Sequence, residues 1–72
     1  MGGKLRPLPQ QKVIKILERN GFARVRARKH ITYKKVGKDK VWTTWVPHHN
    51  IVTVFVLGYI IKQTEKPREE FY

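Results

Sequence analysis

Ile51-Val52-Thr53-Val54-Phe55-Val56-Leu57-Gly58-Tyr59-Ile60-Ile61-Lys62-Gln63 is the stretch that decides the fold. As a strand it would extend a sheet; as a helix it would cover one. Its opening, Ile51-Val52-Thr53-Val54, is β-branched throughout and argues for strand. Val54, Leu57, Ile60 and Ile61 also fall on one helical stripe. Propensity leaves both readings open. A membrane span is a third reading, because residues 41–61 hold no Lys, Arg, Asp or Glu. They do hold Thr43, Thr44, Pro47, His48, His49 and Asn50. The continuous apolar part, Ile51 to Ile61, is about half of the ~20 residues a bilayer needs. The stretch reads as core, with no membrane contact expected.

Working back towards the N-terminus, Val41 to Val46 is β-branched and aromatic and reads as a strand that Pro47 ends. Gly37-Lys38-Asp39-Lys40 is a turn. His30 to Val36 is a second strand, with Ile31 and Tyr33 opposite Thr32 and Lys34. Phe22 to Arg28 alternates strictly, which places Ala23, Val25 and Ala27 on the buried side and Arg24, Arg26 and Arg28 on the other. Asn20-Gly21 is a helix stop. Before it, Val13, Ile14 and Leu17 form the apolar stripe of a helix over about 8–20, with Pro7 and Pro9 at its start. Beyond the deciding stretch, Pro67 opens a last turn, Arg68-Glu69-Glu70. The expected class is α+β: a helix, three antiparallel strands, then a helix, as one sheet and one helical layer.

Seventy-two residues allow one domain, 1–72, near the lower limit of what folds alone. There is no Cys, so neither a disulfide framework nor a thiolate metal cage is available, and a reducing cytoplasm fits. Met1-Gly2-Gly3-Lys4 leads into no apolar run, so no secretory leader is expected. The net charge of +11 is unevenly placed. Residues 1–40 carry thirteen bases and two acids, Glu18 and Asp39, whereas residues 41–72 carry three of each. A polarised basic surface of this kind meets a polyanion, nucleic acid before an anionic membrane.

The chemistry available is narrow. There is no Ser or Cys for a nucleophilic triad. Glu18 and Asp39 are isolated, and Glu65, Glu69 and Glu70 lie near the tail. His48 and His49 are adjacent, so an extended chain points them to opposite faces, and no metal site is expected. That leaves His30 among Arg24, Arg26, Arg28, Lys29, Lys34 and Lys35. Surrounding cations favour the neutral, base-competent imidazole. They would also hold a phosphodiester and neutralise charge developing on its oxygens. A neutral imidazole there could take the 2′-OH proton of captured RNA, and the 2′-oxygen could attack its own phosphorus without a metal. The competing reading makes His30 a strand residue satisfied by a hydrogen bond. His48 or His49 could protonate the leaving oxygen or be a polar turn residue. Trp42 and Trp45 differ by three, so a strand points them to opposite faces, one to the core and one to a base or a protein interface.

Several stretches resemble the HicA-type (YcfA-like) toxins. They are Leu5-Arg6-Pro7-Leu8, then Lys12-Val13-Ile14-Lys15-Ile16-Leu17-Glu18-Arg19-Asn20-Gly21-Phe22, Val46-Pro47 followed by His49, Leu57 with Tyr59-Ile60-Ile61-Lys62-Gln63, and Arg68-Glu69-Glu70-Phe71. The resemblance implies an α-β-β-β-α fold like double-stranded-RNA-binding domains, with two helices on one face of a three-stranded antiparallel sheet. It makes Val54 to Gln63 a helix. It implies an mRNA interferase of a type II toxin-antitoxin system: an endoribonuclease acting on single-stranded mRNA without a cofactor and inhibited by a HicB-like antitoxin. His30 occupies the place of the family's catalytic histidine. Arg24, Arg26, Arg28, Lys29, Lys34 and Lys35 are the expected RNA contacts, with His49 as a secondary site residue. The family's Gly-Ser-His turn reads Arg28-Lys29-His30 here. Its Gly-Thr opening of the second helix reads Phe55-Val56, which removes a start signal and adds apolar surface. That surface points to packing against another chain, a homo-oligomer included, or to a later helix start. A non-catalytic RNA-binding module on the same fold is the alternative function, and a basic protein–protein adaptor is a third.

Overall fold

The computed structural model describes residues 5–71. Leu8–Pro9 form a short strand, β1, and helix α1 follows at Gln10–Arg19. The helix therefore starts later than the expected 8–20. Leu8 precedes a proline, and that position is pushed towards extended backbone. Pro9 is itself extended at φ −59°, ψ 141°. The Gln10 N–H then donates to the Asn50 carbonyl at 2.8 Å. At the far end Gly21 takes φ 91°, the Gly21 N–H donates to Glu18 and the Phe22 N–H to Leu17. This left-handed stop drops Phe22 into the core.

Strands β2 (Ala23–Ala27), β3 (His30–Val36) and β4 (Val41–Pro47) form an antiparallel sheet in that order. Side chains directly across such a ladder share a face. Ile31 pairs Val46 and Tyr33 pairs Thr44, all four buried under the helices. His30, Thr32 and Lys34 therefore point to the open face, with Trp45 and Thr43 beside them.

β2 departs from its alternating pattern. Arg24 lies across from Tyr33 but Arg26 lies across from Thr32, so Val25 is an extra residue in a bulge. The bulge turns Arg26 to the open face while Arg24 stays on the helix side. The expected arrangement, three arginines on one face and Ala23, Val25 and Ala27 buried, is corrected: all five residues of this edge strand are exposed.

The deciding stretch divides. Ile51–Val52 form a strand, β5, antiparallel to β1, with Leu8 across from Val52. Thr53 then caps helix α2, Val54–Thr64, its hydroxyl accepting from the Val56 N–H at 3.4 Å. Thr53 supplies a start signal, so the helix does not begin later in spite of Phe55-Val56. A short pairing with β1 uses the β-branched opening, and the helical stripe buries Leu57 and Ile60. Arg68–Phe71 form a 3-10 turn. Asn20 Nδ2 donates to Glu70 Oε1 at 2.8 Å and holds the turn to the end of α1, with Phe71 fully buried. Val13, Ile16 and Leu17 of α1, Leu57 and Ile60 of α2, and Phe71 join the sheet residues in one core. Both helices thus cover one face of the sheet and leave the other open. Among the described residues no helix is long and apolar enough to cross a membrane.

Candidate nucleic-acid interface

The open face carries a shallow depression of about 320 Å³ lined by Arg26, Arg28, Lys29, His30, Thr32 and Trp45. Each lining residue has a local cause. The Val25 bulge delivers Arg26. The turn after β2 carries Arg28 and Lys29. His30 and Thr32 are alternate residues of β3, so they share a face. Trp45 stands directly across from Thr32 and diagonally from His30. The His30 and Trp45 ring centroids are 4.4 Å apart, tilted by 42°. Such a tilted aromatic contact limits how the imidazole can rotate.

The turn itself is tied down. His48 Nε2 lies 2.7 Å from the Arg28 carbonyl oxygen. A carbonyl only accepts, so Nε2 carries the hydrogen. The strand end before His48 is held in turn by Gln10, whose Nε2 donates to the Pro47 carbonyl at 2.7 Å.

The depression contains three cations and, among the described residues, no acid. None of these cations forms an ion pair with a described residue; the ion pair among those residues is Lys40 with Glu65. An anion entering the depression therefore meets unneutralised charge. Among the described residues no three His, Asp or Glu side chains converge as a metal-ligand set.

Four of the expected site residues are thus brought together: Arg26, Arg28, Lys29 and His30. The others sit elsewhere. Lys34 is on the open face beyond Thr32, outside the depression. Arg24 lies on the helix side, across from Tyr33, whose phenol is raised above its usual range by burial, then by Glu18. Lys35 is also on the helix side, with its Nζ 5.6 Å from the Trp42 ring centre and its stem over Gly21. His49 is exposed in the turn after β4 and does not line the depression.

Thr32 is a lining residue that the sequence does not single out, and Trp45 is the one of the two tryptophans that faces away from the helices. A signal existed. Once the Gly37–Lys40 turn sets Val36 across from Val41, each earlier pair follows, and Trp45 falls opposite Thr32. The tether from His48 to Arg28 had no such signal, because it joins two turns that only the folded sheet brings together.

Comparisons with known proteins point to one family. Neither curated proteins nor solved structures give a match. The family model described as HicA toxin of bacterial toxin-antitoxin matches residues 11–65, which span α1, the whole three-stranded sheet and α2. The chain therefore belongs to the HicA toxin family, the toxin half of a bacterial toxin-antitoxin system whose other half is an antitoxin.

Proposed function

We infer that this toxin is an endoribonuclease that cuts mRNA, with His30 as general base. The observation that carries this reading is the placement of His30 beside Arg26, Arg28 and Lys29 in one open, acid-free depression. The imidazole takes the proton of a ribose 2′-OH. The 2′-oxygen then forms a bond to the adjacent phosphorus, and the bond from phosphorus to the 5′-oxygen breaks. The 5′-oxygen leaves with a proton from solvent, and the other product ends in a 2′,3′-cyclic phosphate. The three cations stabilise the negative charge that grows on the phosphoryl oxygens, which is worth more in a fixed site than in water. No step of this route requires a metal, because the nucleophile is the substrate's own hydroxyl. The partner that silences the activity is a HicB-like antitoxin, and the site of action is the cytoplasm, where mRNA is met.

The test is direct. Purified protein is incubated with single-stranded RNA in excess EDTA, beside His30→Ala. Cleavage by the parent alone, ending in a cyclic phosphate, is the expected result. RNA retention without cleavage by either protein overturns the enzyme. That outcome would leave the non-catalytic RNA-binding module, for which the replacement of Gly-Ser by Arg28-Lys29 before His30 is the favouring observation. Affinity should fall steeply between low and physiological salt if phosphate contacts drive binding.

A further inference from the structure

We propose that Trp45 is a nucleobase seat beside His30, so that the substrate must present an unpaired base next to the phosphate that is cut. This rests on the reading of His30 as the general base. Trp45 is half-buried on the face of the sheet away from both helices, so its ring is not spent on the core. Trp42, three residues earlier, takes the helix side, packed around Gly37 and under the Lys35 and Lys40 ammonium groups. The two tryptophans therefore have different work.

The surroundings of Trp45 narrow the ligand. Arg26, Thr32 and Trp45 stand in one row across the three strands, on one face. That row offers a cation, a hydroxyl and an indole, which suit a phosphate, a ribose or base edge, and a base plane. A peptide partner would find no acid here to pair with its own cations among the described residues. Base stacking on an aromatic ring tolerates every base, because each has a π face. A paired A-form helix hides those faces inside its stack, so only a splayed nucleotide can use the seat. With its centroid 4.4 Å from the imidazole, the indole places that base within one nucleotide of His30. Trp45 is thus a positioning residue: it fixes which phosphate reaches the base.

The experiment uses the full chain carrying His30→Ala, so that RNA is bound and not consumed. Short single-stranded RNAs are prepared with one abasic nucleotide moved along the strand. At one position the missing base should weaken binding by about 5- to 150-fold, the size of one aromatic stack. In the Trp45→Leu background that penalty should vanish, and in Trp45→Phe it should largely return. A merely structural role for Trp45 would weaken all the RNAs alike. Equal abasic penalties in the Trp45 and Trp45→Leu backgrounds overturn the seat. So does normal RNA binding by Trp45→Leu with loss of antitoxin binding, which would make this face a protein interface. The two readings fail separately. Cleavage by His30→Ala removes the general base and leaves the abasic pattern standing; loss of the pattern with cleavage still dependent on His30 removes only the seat.

Discussion

His48 reaches from the turn after β4 to the turn after β2, its Nε2 donating to the Arg28 carbonyl oxygen at 2.7 Å. Arg28, Lys29 and His30 are consecutive, so this one bond restrains the segment that supplies half of the depression. The sequence places no glycine or serine in that turn, and its shape is held from outside.

His48→Ala should loosen the turn and spare the fold. The bond is exposed, and a neutral hydrogen bond of this type is worth about 0.5–1.5 kcal/mol. Amide exchange at Lys29 and His30 should quicken, RNA cleavage should fall several-fold, and the melting temperature should move by only a few degrees. Unchanged exchange at these two amides would mean the turn holds itself.

Val25 tests the bulge. A strict strand alternation puts Val25 in the core, whereas the structure leaves it 57 % exposed between Arg24 and Arg26. Val25→Lys should therefore shift stability by no more than about 0.5 kcal/mol in urea denaturation. Ile31→Ala, at a position only 8 % exposed, should cost about 2–5 kcal/mol. A Val25→Lys protein that unfolds like the Ile31 variant would restore the regular strand.

These two residues also show how far the sequence could be read. Ile31 and Tyr33 alternate with polar neighbours, so their period puts them on one face, and that face is the one the structure buries. Around Val25 the same period misled, because a single extra residue reverses every later side chain. Arg24 and Arg26 are identical in the alternating pattern and opposite in the structure. The Ile51–Gln63 stretch is ambiguous for a different reason. It carries a strand propensity and a helical stripe because it contains two elements, and the boundary at Thr53 depends on a cap and on the distant pairing of Leu8 with Val52. The cations that surround His30 can be read in the sequence, but its ring contact with Trp45 depends on the strand register.

Gly37 is held as glycine by Trp42. A Cβ at Gly37 would lie 2.6 Å from Trp42 Cζ3 and 3.0 Å from Cη2. The indole is rigid and packed against the core, so Gly37→Ala must displace it, at a cost of about 1–3 kcal/mol. The near-ultraviolet circular dichroism of the protein should change with it. Adding Gly37→Ala to Trp42→Leu should cost less than adding it to the parent, since the obstructing ring is gone. Equal costs in the two backgrounds would place the strain in the turn backbone.

Glu65 combines a strained backbone with a charge pair, and pH separates the two. It closes α2 at φ 58°, the left-handed region that glycine enters freely. Its carboxylate pairs with the Lys40 ammonium, which holds it below the usual carboxylate range. A lowered folded-state value contributes stability that is present above the unfolded value and is lost as the pH falls through the folded one. Glu65→Gly relieves the backbone at every pH but forfeits the pair only where the carboxylate is charged. Its gain in melting temperature should therefore be largest at acid pH and shrink towards neutrality. Lys40→Met should move the Glu65 side-chain titration upward, followed by carboxyl carbon NMR. A gain from Glu65→Gly that is the same at acid and neutral pH would show that the pair with Lys40 adds nothing to the folded state.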